Sequence, residues 1–381
     1  MSERTYSQVN TGISVREASF VSPSQFEQLL ASPSSESREG LLQGTPYALD
    51  SHEIKDLSAL EARLMAALLA EYQWAFEVSP QPDLVSLFTL KYTYHNLKVY
   101  LKHKATERKL GHLLIPIGPY SLDVLEHLVA TFSAEHCPAF MAEEVAATWQ
   151  EFQDYQDLRV LEIGMDLAYF KHLRYLGDSL DHPILKQLVD VTIDFYNAIT
   201  VKRALDQQKP HSFMHQLLSD EGSLSAHQVI DLLESGQWLT WFYQVNPLEY
   251  DLALETYEEK MRTGQLKTVE LEYLESLVKF SLLDAGRFEV DGPLPLVRYL
   301  YGKELEVTNL RLVLSGLDNG FPLAEIKERM RPIYGQTDLS HRRPPHSGRH
   351  PSLSSDWFQN LPGHRPTTSD PHPHQTHPAK P

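Results

Sequence analysis

Groups able to do chemistry occur in this chain, but their spacing argues against an active site. Two carboxylate pairs stand out, Glu143 with Glu144 and Glu258 with Glu259. Acid/base work needs two carboxylates facing one reacting bond, whereas neighbours on a helix project about 100° apart, so both pairs read as solvated faces. Cys137 is the single cysteine; it excludes an internal disulfide and a thiolate cage, and reads as a buried apolar residue in a reducing compartment. Seven histidines run from His341 to His377, among them His372 and His374 on either side of a proline. Such a tract holds divalent metal loosely, with no second shell to fix a geometry. The chain carries no phosphate-cradling Gly-x-x-x-x-Gly-Lys-Ser/Thr loop, no Gly-x-Gly-x-x-Gly, no His-Glu-x-x-His and no Gly-x-Ser-x-Gly. The expectation is no catalytic residue, no cofactor and no dedicated metal site.

The elements that would have to position such groups are helical. Apolar residues recur at three-and-four spacing over 57–76, 142–158, 165–176 and 269–283, while period-two alternation is scarce. Turn signals separate these stretches at Pro80–Pro82, Pro116–Pro119, Asp181–Pro183, Asp220–Gly222 and Asp291–Pro295. The fold class is all-α. With 381 residues, 42% of them apolar, the chain can bury several cores. A net charge of -17 opposes binding to phosphate backbones, so nucleic acid is not an expected partner. The polar start lacks the basic and apolar regions of a signal peptide. The most apolar short run, Leu64 to Ala70, lies between Arg63 and Glu71 and falls far short of the roughly 20 residues that span a bilayer. From Gln336 onward Pro, His, Ser and Arg dominate and aliphatics are few, the composition of a disordered tail.

A unit recurs three times at domain spacing. Pro82, Pro183 and Pro295 each stand fourteen residues before an asparagine: Asn96, Asn197 and Asn309. With the asparagines superposed, offsets -9, -6, -2, +1 and +5 hold Leu87, Leu90, Tyr94, Leu97, Leu101; Leu188, Val191, Phe195, Ala198, Lys202; and Leu300, Lys303, Val307, Leu310, Leu314. Thirteen of these fifteen are apolar, which defines one helical stripe. Proline suits the first helical turn, so each unit predicts a long helix starting near the proline and running past the asparagine. Apolar residues on a second face bury the asparagine, whose amide must then find a backbone partner, most simply on a neighbouring helix, or else contact a partner protein. The first two units are followed by a Gly, a Ser cap and an amphipathic helix, from Ile117 and from Glu221. The stretch from Asn319 to Met330 reads as a shortened third version. The implied organisation is 1–134, 135–236 and 237–335 as three related helical domains, then the His/Pro-rich tail 336–381.

Several stretches together resemble a known family: Asn10–Glu17, Leu90–Lys104, Met165–Phe170, Thr192–Asn197, Lys303–Arg311 and Ile326–Tyr334. They are similar to the C subunits of the V/A-type (vacuolar/archaeal-type) ATPases and ATP synthases, equivalent to the d subunits of the eukaryotic V-ATPases, from about Tyr6 to Tyr334. The resemblance implies a funnel-shaped body of approximate threefold symmetry, without an active site of its own. It implies a peripheral position on the cytoplasmic face of the membrane, between a proteolipid rotor ring and the D/F-type subunits of the central shaft. There the body would transmit torque for ATP-coupled H+ or Na+ transport. It assigns no docking residues. The second unit departs from the family in lacking a basic residue soon after the asparagine, where Lys98 and Arg311 stand in the others, and the tail runs past the family's usual end. An unrelated α-helical adaptor, and a helical enzyme using histidine-bound metal, are the competing readings.

Overall fold

The computed structural model describes residues 5–246 and 254–336. The His/Pro-rich tail, apart from Gln336, lies outside the described residues. Among those described there are seventeen α-helices, two short 3-10 turns and no strand. The N-terminal helices are α1 (Tyr6–Arg16), α2 (Pro23–Ala31), α3 (Ser35–Leu42), α4 (Ser51–Lys55) and α5 (Leu57–Val78). Then come α6 (Asp83–Thr106), α7 (Leu122–Thr131), α8 (Ala139–Tyr155), α9 (Leu158–Ser179), α10 (Pro183–Asp206) and α11 (His211–Leu217). The chain continues through α12 (Ala226–Glu234), α13 (Trp238–Val245), α14 (Glu255–Thr263), α15 (Thr268–Asp284), α16 (Leu294–Asp318) and α17 (Leu323–Arg329).

Local chemistry explains where these helices start and stop. Pro82 is the residue before α6, Pro183 opens α10 and Pro295 is the second residue of α16, all places where a missing N–H costs nothing. Ser121 caps α7 and Ser225 caps α12, each accepting a bond from the backbone N–H three residues on. The periodic stretch 142–158 is not one helix: Gln156 takes the left-handed conformation with φ 55°, and the Asp157 side chain caps the start of α9.

The long helices α6, α10 and α16 form the spine. Helix α6 packs along α9, α10 along α15, and α16 along α5; α9 with α10, α15 with α16 and α6 with α16 make the joints between these pairs. Each spine helix therefore lies beside the long helix that precedes the next spine helix in sequence, and for α16 that partner comes from the other end of the chain. Two cores result. One runs through α1–α9 and α16–α17 and takes in the start of α10 and the end of α15; the other is built by α10–α15 around Phe195, Trp241 and Phe242. The stripe predicted from the repeat is buried at every apolar position.

The two lysines in that stripe behave differently. Lys202 is partly exposed and pairs with Asp206. Lys303 is 1% exposed, in the middle of α16. It is held 2.9 Å from Glu306, donates to Ser19 Oγ at 3.2 Å, and lies 4.0 Å from the Phe20 ring centroid. Glu306 in turn accepts from the Tyr47 hydroxyl at 2.5 Å and from the Val21 backbone N–H. The pair anchors the N-terminal segment to the last spine helix. Burying it cost desolvation that only this full set of partners offsets.

Lys303→Met should leave a buried, unpaired carboxylate and destabilise the fold by about 3–5 kcal/mol. Lys303→Met with Glu306→Gln should recover most of that, because the amide oxygen still accepts from the Val21 N–H while the amide nitrogen donates to the Tyr47 hydroxyl oxygen. Urea midpoints of the three proteins decide: a single variant no weaker than the double one would show that the ion pair does not anchor the N-terminal segment.

Candidate functional site

The sequence-derived asparagines share one local geometry. Asn96 donates through Nδ2 to the Ile115 carbonyl at 2.7 Å and accepts through Oδ1 from the Ile115 N–H at 2.9 Å. Asn197 does the same to Ser219, at 2.8 and 3.0 Å. Asn309 does it to Arg331, at 3.0 and 2.7 Å. All three side chains are buried. The partner is not on a neighbouring helix, as the sequence suggested; it is a non-helical residue of the segment that returns after the spine helix, 19, 22 and 22 residues further on. A return segment pressed against a helix has buried backbone groups and no ladder to satisfy them. One carboxamide supplies the missing acceptor and donor together.

Three residues before each asparagine stands a second polar side chain, which faces the return segment in the first two units and the N-terminal segment at Val21 in the third. It is Thr93 in α6, Asp194 in α10 and Glu306 in α16, all buried. Asp194 accepts from the Ser223 N–H at 2.8 Å and its hydroxyl at 2.6 Å. Gly222 is required there, since a Cβ would lie 2.4 Å from Asp194 Oδ1. Gly118, three residues after Ile115, has φ 137° and would place a Cβ 2.8 Å from Thr93 Oγ1.

The third unit is completed differently from the sequence reading. Helix α17 precedes Arg331, so it occupies the place of the 3-10 turn Gly111–Leu113 and of α11, both of which precede their clamped residues. The stretch Asn319–Met330 is therefore not the counterpart of α7 and α12. Beside α16 that part is taken by α2, from the chain's start. The Val21 N–H bonds Glu306 as the Ser223 N–H bonds Asp194, and Ser22 caps α2 through the same Ser-x-x-Gln box with which Ser225 caps α12.

Ion pairs lock the spine to its partners. Lys98 reaches Asp166 at 2.6 Å and Lys102 reaches Glu162 at 2.5 Å, both across α6 and α9. Arg311 grips Glu61 of α5 with two bonds of 2.7 Å. The second unit has Ile199 where the others have Lys98 and Arg311, and uses Arg203, six residues past its asparagine like Lys102, to reach Glu272 of α15 at 2.6 Å. The same Glu272 takes Arg331 at 2.6 Å, so one carboxylate ties the second spine helix to the third clamp. These partners carry no spacing signal in the sequence.

The groups first considered for catalysis are separately engaged. Glu144 takes Lys171 at 2.7 Å while Glu143 is exposed; Glu258 accepts from the Tyr243 hydroxyl and Glu259 pairs with Arg262. Cys137 is half-buried against the first core, and burial raises its thiol above the usual range, the opposite of activation. Among the described residues, one group could hold a metal ion, formed by His211, His227 and Asp231. No described helix is long and apolar enough to cross a membrane.

Asn309→Ala should strand the Arg331 N–H and carbonyl and leave a small void, a loss of about 2–4 kcal/mol. A urea midpoint equal to that of the parent chain would show that the clamp contributes nothing. Two buried groups oppose each other in acid. Burial lowers the His172 imidazole to about 4, so the stability it holds above its unfolded value, about 6.5, is lost as the pH falls between them. Burial raises the Asp194 carboxyl to about 6, against the lowering effect of its Ser223 bonds, so protonation there adds stability as the pH falls from 6 toward the ordinary carboxyl range. Asp194→Asn should unmask the His172 loss, steepening the decline in stability between pH 6.5 and 4 by about 2–3 kcal/mol. Parallel stability-versus-pH curves would refute the opposition.

Comparison with known proteins gives one consistent answer. A model of the ATP synthase (C/AC39) subunit family matches residues 9–329. The chain is 30% identical over 332 residues to the C subunit of the V-type sodium ATPase of Enterococcus hirae, covering 86% of this chain and 99% of that one. It is 23% identical to the C subunit of the A-type ATP synthase of Methanocaldococcus jannaschii (84% and 85% covered) and 22% identical to that of the V-type ATP synthase of Thermus thermophilus (85% and 98% covered). With the repeated clamp, the all-helical fold and a family match across most of its length, this chain belongs to the C/AC39 subunit family of the V/A-type ATPases and ATP synthases.

Proposed function

We propose that this protein is the non-catalytic connector of a rotary ATPase, seated between the proteolipid ring and the D/F-type shaft subunits on the cytoplasmic face of the membrane. It passes torque between them during H+- or Na+-coupled transport. Family membership over 9–329 is the observation that carries the reading. The packing supports it: a torque-bearing part must not deform, and each spine helix is pinned by its clamp and by ion pairs to a partner helix. We read the body as three related units around an approximate threefold axis, in a funnel shape. In place of a linear division at 134 and 236, the units are α6–α9, α10–α15, and α16–α17 together with α1–α5.

One surface fits a docking role. The loop before α16 exposes Phe288 and Val290, at 85% and 65%. Asn10, the first residue of the family-like N-terminal stretch, holds that loop by donating to the carbonyls of Val290 at 3.0 Å and Gly292 at 3.1 Å. We propose that these exposed apolar residues contact one of the connector's partners.

The test is affinity purification of the tagged chain at native expression from gently solubilised membranes. Stoichiometric recovery with the ring proteolipid, the shaft and the ATP-hydrolysing subunits is expected, as is loss of ion pumping, with soluble ATP hydrolysis retained, when this chain is depleted. Soluble partners alone would replace the connector reading with that of a helical adaptor.

A further inference from the structure

The connector role makes no use of the cluster on α11 and α12, and that cluster has the composition and spacing of a transition-metal site. His227 and Asp231 lie one turn apart on α12, with Nε2 and Oδ2 3.2 Å from each other. His211, at the start of α11, turns its ring toward them; the two imidazole centroids are 5.9 Å apart. The ligand atoms of all three residues lie within 4.8 Å of one another. Tetrahedral zinc, with bonds of 2.0–2.2 Å, needs donor separations of about 3.4 Å. The histidine–aspartate edge meets that already, and rotamer shifts of His211, half-buried, and of the exposed His227 and Asp231 close the remainder. Glu234, on the same face of α12, sits 3.3 Å from His211 Nδ1. It would fix the tautomer that presents His211 Nε2 to the metal, the second-shell arrangement by which carboxylates orient ligating histidines.

We propose that His211, His227 and Asp231 bind a divalent cation of the zinc class, with Glu234 as the positioning residue and water in the remaining position. Two imidazoles and one carboxylate select zinc and its neighbours over magnesium or calcium, which prefer all-oxygen shells. The site also has a structural consequence. His211 precedes Ser219, the residue clamped by Asn197, and His227 follows it. A bound ion therefore staples the two flanks of the second clamp together and resists its opening.

The test uses the full-length chain, untagged, because the tail histidines are the competing ligands. Zinc affinity is measured against a chromophoric chelator for the parent, for His227→Ala, for Glu234→Gln, and for a chain with His341, His346, His350, His364, His372, His374 and His377 all changed to Gln. The tail variant should keep the tightest zinc equivalent, and its thermal midpoint should rise with zinc. His227→Ala should lose that equivalent by at least tenfold in affinity and lose the thermal shift, while unfolding at the parent's midpoint in chelator. Glu234→Gln should weaken binding by about ten- to a hundredfold. Cobalt bound to the tail variant should give the intense visible bands of a tetrahedral centre, absent from His227→Ala. If the tightest zinc follows the tail histidines, or survives His227→Ala, the site is overturned; the connector reading stands or falls separately on its own partners.

Discussion

A helix that carries buried polar backbone from another segment against its flank must supply the bonds that segment cannot make for itself. That constraint governs this protein. Each of three spine helices, 24 to 25 residues long, is followed by a return segment pressed against it. At the point of contact a single carboxamide satisfies both the N–H and the carbonyl of one residue. Each such bond contributes only about 1 kcal/mol net, yet leaving the buried groups unpaired costs more. The clamp is therefore a specificity device: it fixes where the return begins, and the helices that follow inherit that position.

The side chain one turn before the clamp shows how the same position is filled by a hydroxyl in one unit and by carboxylates in the other two. Thr93, Asp194 and Glu306 occupy equivalent places, and the demands on their surroundings rise in that order. Asp194 needs the serine hydroxyl and backbone N–H of Ser223 and a glycine to make room. Glu306 needs a buried lysine, a tyrosine hydroxyl and the N–H of Val21. The added cost in the third unit has a structural return. Apart from Lys303 on the same helix, its partners are Val21 and Tyr47, and Lys303 itself reaches Ser19, so the ion pair closes the chain's start onto its last spine helix through contacts separated by more than 250 positions in sequence.

Pairing between distant helices is what this arrangement supplies. Long helices joined by bidentate amide clamps and by ion pairs between helices deform little, because any hinge would expose paired polar groups together. Glu272 illustrates the cross-linking: it holds Arg203 of the second spine helix and Arg331 of the third clamp at once. Such cross-linking is what the proposed connector role calls for. The adjacent carboxylates that the sequence reads as solvated faces are engaged one by one or left to solvent.

Sequence alone determined a good deal. Helical periodicity, proline placement and the thrice-repeated asparagine were legible because they are local: each depends on residues within a few turns of one another, and a buried stripe leaves its mark at fixed offsets. The family resemblance was distributed over many such stretches and so survived divergence. What sequence could not fix was closure. The partner of each asparagine lies at 19 or 22 residues through segments of different content, a 3-10 turn in one unit and helices in the others, so no constant spacing betrays it. The stretch Asn319–Met330 looked like a third sequel because its composition matched, and only packing showed that α2 occupies that place beside α16. Lys303 read as an interruption of an apolar stripe; the fold made it an anchor by bringing Glu306, Ser19 and Phe20 around it. Local pattern specifies which face of a helix is buried, whereas what it is buried against depends on contacts between distant segments, and those the tertiary structure alone decides.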